Sequence, residues 1–286
     1  MKRNNFVIII LLYFGLMLFC VENIFAQNDF RILSYNILMG FQNDSINKTD
    51  YINWVKKLDP DIVAYQEMND FTPKSIQQFA IQYGHPYAVI SKTDGFPVAL
   101  SSKYPIVNVQ KVLDNMHHVY LYANINNINV ILIHFSPHSY QKRQLEVREV
   151  LARAALIPKN EKIVILGDFN SLSQVDAAAY SEKFIEALKE REANESRIRN
   201  LNNGKLDYTV TGAMAKAGYK DAIRMFHSDF QFSRPTKKYG SKFLHRIDYM
   251  WVNPKFAKYI KSANFIYDDV TNRISDHYPL LVTFDL

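Results

Sequence analysis

Ile163-Val164-Ile165-Leu166-Gly167-Asp168-Phe169-Asn170 is the segment from which the rest of the chain is read. Four apolar residues without alternation mark a strand covered on both faces, and the strand ends in a glycine, an acid and an amide. Nearer the C-terminus stands Ser275-Asp276-His277. A buried strand ending in an acid and an amide, paired with a second acid beside a histidine, is equipment for gripping a hard metal ion and a phosphate.

Similar apolar runs recur at Arg31 to Asn36, Asp61 to Glu67, Asn129 to His134 and Ile247 to Val252, and each reads as a buried strand. Helices are predicted between them. Thr49 or Asp50 can cap a helix carrying Ile52, Val55 and Leu58, and Tyr140 to Ile157 carries Leu145, Val150, Leu151 and Ala154 on one side, with Glu149 four residues before Arg153. Doubly buried strands alternating with helices imply a layered α/β architecture. With 286 residues, 48% hydrophobic and 14% aromatic, the chain can bury one large core in a single domain, and it shows no repeat, linker or low-complexity tract.

The first 26 residues stand apart. Lys2-Arg3 give a positive start, Phe6 to Val21 is almost wholly apolar, and Ile24-Phe25-Ala26 puts a small residue before Gln27, the pattern of a cleaved signal peptide over residues 1–26. Export to the periplasm or the extracellular space is expected, with the working domain over residues 27–286 and no stable membrane insertion after cleavage. A retained signal anchor is the competing reading, because the apolar run of about 17 residues reaches the lower limit for a span. Phe19 stands before Cys20 where a lipoprotein signal carries a small residue, which argues against a lipid anchor. Cys20 is the only cysteine. The exported chain is therefore expected to lack disulfides, thiolate metal sites and cysteine catalysis, and to rely on its core.

The formal net charge of +6 decides little by itself. Its distribution says more: Arg234, Lys237, Lys238, Lys242 and Arg246 follow one another with no acid between them and with Tyr239 and Phe243 interleaved. The stretch is either a solvated loop or a track for an anionic polymer. Asn36, Glu67, His134, Asp168 with Asn170, and Asp248 each lie within or at the end of an apolar strand. A buried polar group left unpaired there costs about 1–3 kcal/mol, so each is either satisfied structurally or part of a site. Five strands ending this way suggest that the ends converge.

The order Ser34-Tyr35-Asn36, Gln66-Glu67, His134 in an apolar strand, Gly167-Asp168-Phe169-Asn170, Arg246-Ile247-Asp248-Tyr249 and Ser275-Asp276-His277 resembles the endonuclease/exonuclease/phosphatase superfamily, which includes deoxyribonuclease I, exonuclease III, neutral sphingomyelinases, inositol polyphosphate 5-phosphatases and messenger-RNA deadenylases. Ala99-Leu100-Ser101 with Tyr104-Pro105-Ile106, and Gly218 to Ala222, also look like its landmarks, so the resemblance runs from Phe30 to Leu286. It implies a four-layer α/β sandwich, two mixed β-sheets face to face with helices outside. It implies Glu67 as principal ligand of Mg²⁺ or Mn²⁺, with Asn36 beside it and Asp276 assisting. Asp168 would align or deprotonate the attacking water, and Asn170 would hold that water or a phosphate oxygen. His277, paired with Asp248, would face the phosphate, and His134 would donate to a non-bridging oxygen. Such hydrolysis needs a metal, cationic donors and a positioned water rather than a covalent nucleophile.

Departures narrow the substrate. Leu38 stands where exonuclease III-like repair enzymes carry an acid, and His134 where they use tyrosine, which disfavours abasic-site repair. Gln66-Glu67 lacks the flavour of the sphingomyelinase motif. His85 and the pair His117-His118 match no metal spacing and read as structural or surface residues, while His138 could approach the site. The leading expectation is a secreted metal-dependent phosphodiesterase on nucleic acid or nucleotides, with the Arg234 to Arg246 stretch at the mouth of the site. A phosphatase or phospholipase C-like hydrolase of small phosphorylated metabolites or lipid headgroups is the alternative. A catalytically dead relative would lack a core residue, and a structural or adhesion domain would not need polar ends on buried strands.

Overall fold

The computed structural model describes residues 29–240 and 242–286. The signal peptide expected over residues 1–26, and Cys20 with it, lie outside the described residues. The strands in chain order are β1 (Asp29–Asn36), β2 (Ile62–Gln66), β3 (Tyr87–Ile90), β4 (Ala99–Ser102), β5 (Ile106–Val112), β6 (Val119–Ile125), β7 (Ile128–His134), β8 (Lys162–Asp168), β9 (Leu201–Asn202), β10 (Lys205–Leu206), β11 (Lys220–Asp221), β12 (Asp248–Val252), β13 (Ile260–Phe265) and β14 (Leu280–Asp285). The longer helices are α1 (Ser45–Leu58), α2 (Pro73–Ile81), α3 (Tyr140–Ala155), α4 (Glu182–Asn194) and α5 (Thr209–Lys216).

Two mixed six-stranded sheets result, ordered β13-β14-β1-β2-β4-β3 and β11-β12-β8-β7-β6-β5. The predicted four-layer sandwich is what forms. In β8, Val164 and Leu166 pack between the sheets while Ile163 and Ile165 pack outward with Val147 and Val150 of α3. In β1, Ile32 faces inward and Leu33 and Tyr35 face outward with Tyr51 and Val55 of α1. An apolar layer on each face is why these strands read as continuous runs, and each buried Ile or Leu contributes about 1.5–3 kcal/mol.

Each sheet is built on one parallel pair, β1 with β2 and β7 with β8, and parallel strands end on the same edge. Asp248 opens the antiparallel strand β12 directly opposite Asp168. β14 enters antiparallel to β1 with Leu280 opposite Ser34, so Asp276 and His277 arrive beside Asn36. Topology alone therefore gathers the polar strand ends at one edge of the sandwich. Gly167 (φ +130°) allows β8 to lie close against β7 there, since a Cβ would run into the Ile133 carbonyl oxygen.

Some local expectations are corrected. Asp44, not Thr49 or Asp50, caps α1, accepting from the Ile46 and Asn47 amides, and the helix starts at Ser45. Thr49 bonds back to the Ser45 carbonyl and Asp50 pairs with Arg273. On α3 the buried face is Arg143, Glu146, Val147, Val150 and Ala154, while Leu145 is 52% exposed. Arg153 turns to Gln110 and lies over the Tyr122 ring rather than toward Glu149.

Candidate active site

At the shared edge a cleft of about 920 Å³ opens, with Glu67, His134, Asp168, Asn170, Asp276 and His277 on its wall. Asn36 and Asp248 stand immediately behind, hydrogen-bonded to these residues. All eight residues singled out in the sequence thus meet in one place. Two of them sit at left-handed turns just past strand ends, Glu67 at φ +61° and Asn170 at φ +47°. That conformation costs a non-glycine residue about 1–3 kcal/mol and re-aims the side chain away from the strand direction.

Asn36 orders the carboxylates. Its Oδ1 accepts the Leu38 amide, so its Nδ2 faces the site and donates to Glu67 Oε1 (3.1 Å) and Asp168 Oδ2 (3.2 Å). Glu67 Oε2 accepts the Met39 amide. Asp168 Oδ1 accepts the Asn170 amide (2.8 Å), and Asn170 Nδ2 donates to the Phe135 carbonyl, which ties β7 and β8 together past their ends. His277 Nδ1 lies 2.8 Å from Asp248 Oδ2, and its Nε2 lies 3.9 Å from both Asp168 Oδ2 and Asp276 Oδ1. His134 Nε2 is 3.7 Å from Asp168 Oδ2.

Several supporting residues carry little signal in sequence. Arg234 forks onto Asp276 Oδ2 through Nε (2.9 Å) and Nη2 (2.6 Å). Ser275 Oγ donates to the Asn36 carbonyl, locking the Asp276-His277 loop to β1. Ser233 Oγ accepts the Ile247 and Asp248 amides. His118 corrects the surface reading of the His117-His118 pair: it is buried, and its ring centroid lies 4.3 Å from that of His134. His117 is exposed and His138 partly exposed beside it, both on the cleft wall. His85 is a satisfied core residue, bonded to Ser101 Oγ and the Pro60 carbonyl.

The basic stretch divides. Arg234, Tyr239, Phe243 and His245 line the cleft, Lys237, Lys238 and Lys242 are exposed, and Arg246 is completely buried. Arg246 Nε reaches Asp176 Oδ2 (2.8 Å) and its Nη1 reaches Asp221 Oδ2 (2.6 Å). Asp221, in the Gly218 to Ala222 landmark, is thus an anchor for that arginine.

Electrostatics follow from geometry. Burial disfavours charge on His277, but Asp248 and Asp276 outweigh it and raise the imidazole to about 10. Burial, then Asp248, raises the Asp168 carboxyl to about 7. Burial and then the neighbouring His118 push His134 well below the ordinary histidine range, so its ring is neutral. Burial also opposes charge on Asp276, yet His277 and Arg234 hold its carboxyl below the usual range. Among the described residues, Glu67, Asp168, Asp248 and Asp276 have His277 and Arg234 as their cations within 4 Å, four acidic groups against two cations. The surplus fits a divalent cation. Asp168, Asp248 and His277 bring ligand atoms within 4.8 Å of one another and could bind one. With His277 Nδ1 committed to Asp248, the oxygens of Glu67, Asp168 and Asp276 on the cleft wall suit a hard ion better.

None of the curated proteins matches. Among solved structures, an AP endonuclease from Archaeoglobus fulgidus superposes with a TM-score of 0.68 at 20% identity, covering 90% of this chain and 100% of its own. A 3′ phosphatase from Neisseria bound to product DNA hairpin (0.67, 20%) and a 3′–5′ exonuclease from Neisseria meningitidis (0.67, 21%) give the same coverage. At these identities they establish the fold. The model of the Endonuclease/Exonuclease/phosphatase family matches residues 33–277, which contain the whole cleft wall, and the chain belongs to that family of phosphoester hydrolases.

Proposed function

We propose that the protein is an exported, Mg²⁺- or Mn²⁺-dependent phosphodiesterase acting on nucleic acid or nucleotides. The surplus of acidic groups over cations, gathered around a cationic His277 at the wall of one open cleft, carries this reading. Glu67 and Asp276 would hold the ion, with Asn36 beside Glu67 ordering its carboxylate through Nδ2, and the ion when bound would neutralise the surplus and polarise a phosphate oxygen. Asp168 holds its proton up to about 7, so near neutral pH it can align the attacking water and accept its proton. Asn170, with Nδ2 fixed on Phe135, has its Oδ1 left to orient that water. His277, oriented by Asp248, donates from Nε2 to the developing negative charge, and neutral His134 donates to a non-bridging oxygen.

Nucleic acid is favoured by the cations of the cleft, among them Lys92, Arg191 and Arg197, and by the fold shared with a structure that holds a DNA hairpin. Export rests on the pattern of residues 1–26; among the described residues no helix is long and apolar enough to cross a membrane. The test is to incubate the purified protein, with Mg²⁺, with Mn²⁺ or with EDTA, with plasmid, single-stranded DNA, RNA, nucleotides, sphingomyelin and sugar phosphates. Metal-dependent cleavage of the polynucleotides or nucleotides is expected. Cleavage confined to sphingomyelin or sugar phosphates would move the assignment to a lipid or metabolite phosphoesterase, and activity that survives EDTA would overturn the metal.

A further inference from the structure

Arg143 is 4% exposed, and it lines the catalytic cleft. Its Nη1 donates to the Ser136 carbonyl (2.9 Å) and to Asn200 Oδ1 (2.8 Å), both neutral acceptors. Its Nε has no hydrogen-bond partner among the described residues. No carboxylate of the described residues comes within ion-pair distance of it. Glu146, one turn along α3, has its two oxygens on the His117 and Ser136 amides. Asp207, the acid on the same wall, accepts through Oδ1 from Gln144, Asn202 and Thr209.

A buried guanidinium whose hydrogen-bond partners are neutral is expensive, because Asp207, Glu146 and Asp168, beyond ion-pair distance, offset only part of the hydration it loses. Burial pulls this arginine down to about 10. The cost makes sense if the opposite charge arrives with a ligand. The position agrees. Ser136 lies two residues beyond His134, and the intervening Phe135 carbonyl holds Asn170, so the guanidinium sits one step along the cleft from the water-handling residues. Arg191 on α4, and Arg197 just past its end, line the same arm, each loosely set at 3.5 Å from Glu195.

We infer that Arg143, with Arg191 and Arg197 at the lip, is a second anion subsite that takes a phosphate group of the substrate other than the one being cleaved. The inference rests on the phosphoesterase reading and narrows it: the preferred substrate carries at least two phosphates. The second can be the neighbouring phosphate of a polynucleotide strand or the terminal phosphate of a small bisphosphorylated molecule. A role limited to clamping the Ser136 loop onto Asn200 would use Nη1 alone and would not distinguish substrates.

The test compares kcat/KM for thymidylyl-thymidine with and without a terminal phosphate, and for a sugar monophosphate and bisphosphate, in wild type, Arg143→Lys, and the surface double variant Arg191→Ala/Arg197→Ala. Arg148→Ala, exposed on the same helix, is the control. Wild type should favour the extra phosphate, and both test variants should reduce that preference about tenfold or more, chiefly through KM. Selectivity on the dinucleotide alone identifies a strand phosphate, and on the sugar alone a small metabolite. An unchanged ratio in both variants, or equal losses on substrates with and without the second phosphate, overturns the subsite. Should Arg143→Lys fail to fold, the double variant decides. Binding of thymidine 3′,5′-bisphosphate in EDTA, measured by calorimetry, separates the two readings: if nothing is hydrolysed but the probe binds wild type and not the variants, the activity is wrong and the subsite stands.

Discussion

Arg246 and Asp248 are two residues apart, and each enters a buried charged cluster of opposite character. Arg246 is enclosed with Asp176 and Asp221, and Arg224 Nη1 lies 3.9 Å from Asp176, so two cations meet two acids with no cleft between them. Asp248, just behind the wall of an open cleft, joins His277, Asp168, Asp276 and Glu67 in a cluster where four acids meet two near cations, His277 and Arg234. A closed, balanced cluster serves the fold, whereas an open and unbalanced one is built for a charge that comes from outside. The same contrast sets Arg246 apart from Arg143.

The largest expected effect breaks the closed cluster. Arg246→Met should destabilise the protein by about 3–5 kcal/mol, read from urea unfolding, because Asp176 and Asp221 stay buried without their partner. Loss of activity with an unchanged unfolding curve would make Arg246 part of the site instead.

Next comes the open cluster. Glu67→Gln should reduce metal-dependent activity by about a hundred- to a thousandfold while thermal unfolding stays near wild type. A variant that matches wild type would remove Glu67 from the ion site. Asp248→Asn should lower the rate by roughly ten- to a hundredfold with a smaller loss of stability than Arg246→Met, since the isosteric amide loses the charge that supports the His277 cation but His277 can release its proton. A large fall in Tm with normal specific activity would put Asp248 with the structural cluster.

The unbalanced charge also predicts how stability varies with pH. In EDTA the folded chain keeps the Asp168 proton to about 7, whereas the unfolded carboxyl loses it near 3.8, so the folded state binds more protons in that window. The Asp168 contribution should therefore decline as pH rises from about 4 to 7, while the buried His118, His134 and His245, held neutral in the fold, make their own contribution rise up to about 6.5, so the Asp168 part is read as the difference between wild type and variant. The His277 contribution runs in the same direction but later: it is fully present below about 6.5 and is lost as pH rises through about 10. Asp168→Asn should remove this contribution, so the variant gains stability over wild type as pH rises from about 4 to 7 in the metal-free protein. A stability curve for this variant that parallels wild type from pH 4 to 7 would show that Asp168 is not the group involved.

The smallest effect concerns the exposed lysines. Replacing Lys237, Lys238 and Lys242 with Ala should weaken activity on a polynucleotide a fewfold and flatten its salt dependence, leaving a small chromogenic phosphodiester nearly unchanged. Equal losses on both substrates would mean that the loop shapes the site, and no loss on either would leave the lysines as a solvated surface.

Much of this was legible in the chain alone. Ile163 to Leu166 and the runs like it read as strands covered on both faces, because they are short, rich in Ile and Val, and apolar at every position. The polar residues closing those runs could be singled out because a buried polar group must have a partner or a purpose. What sequence could not supply was pairing across distance. Asp44 as the cap of α1 depended on where the preceding turn ended. His117 and His118 are adjacent in sequence, yet only one is drawn against His134, a difference set by how β6 pairs with β7.

The sequence by itself determined a layered α/β architecture and the polar residues at the strand ends, since apolar periodicity and strand-end chemistry are local properties, while the sandwich was what its resemblance to a family implied. Only the tertiary structure decided what each charge is for. Arg234, Arg246 and Arg143 look alike in a sequence, and their roles come from the carboxylates that folding brings to them: one for Arg234, two for Arg246 and none within ion-pair distance for Arg143 among the described residues. Charge balance is a sum over neighbours in space, and chain order does not carry it.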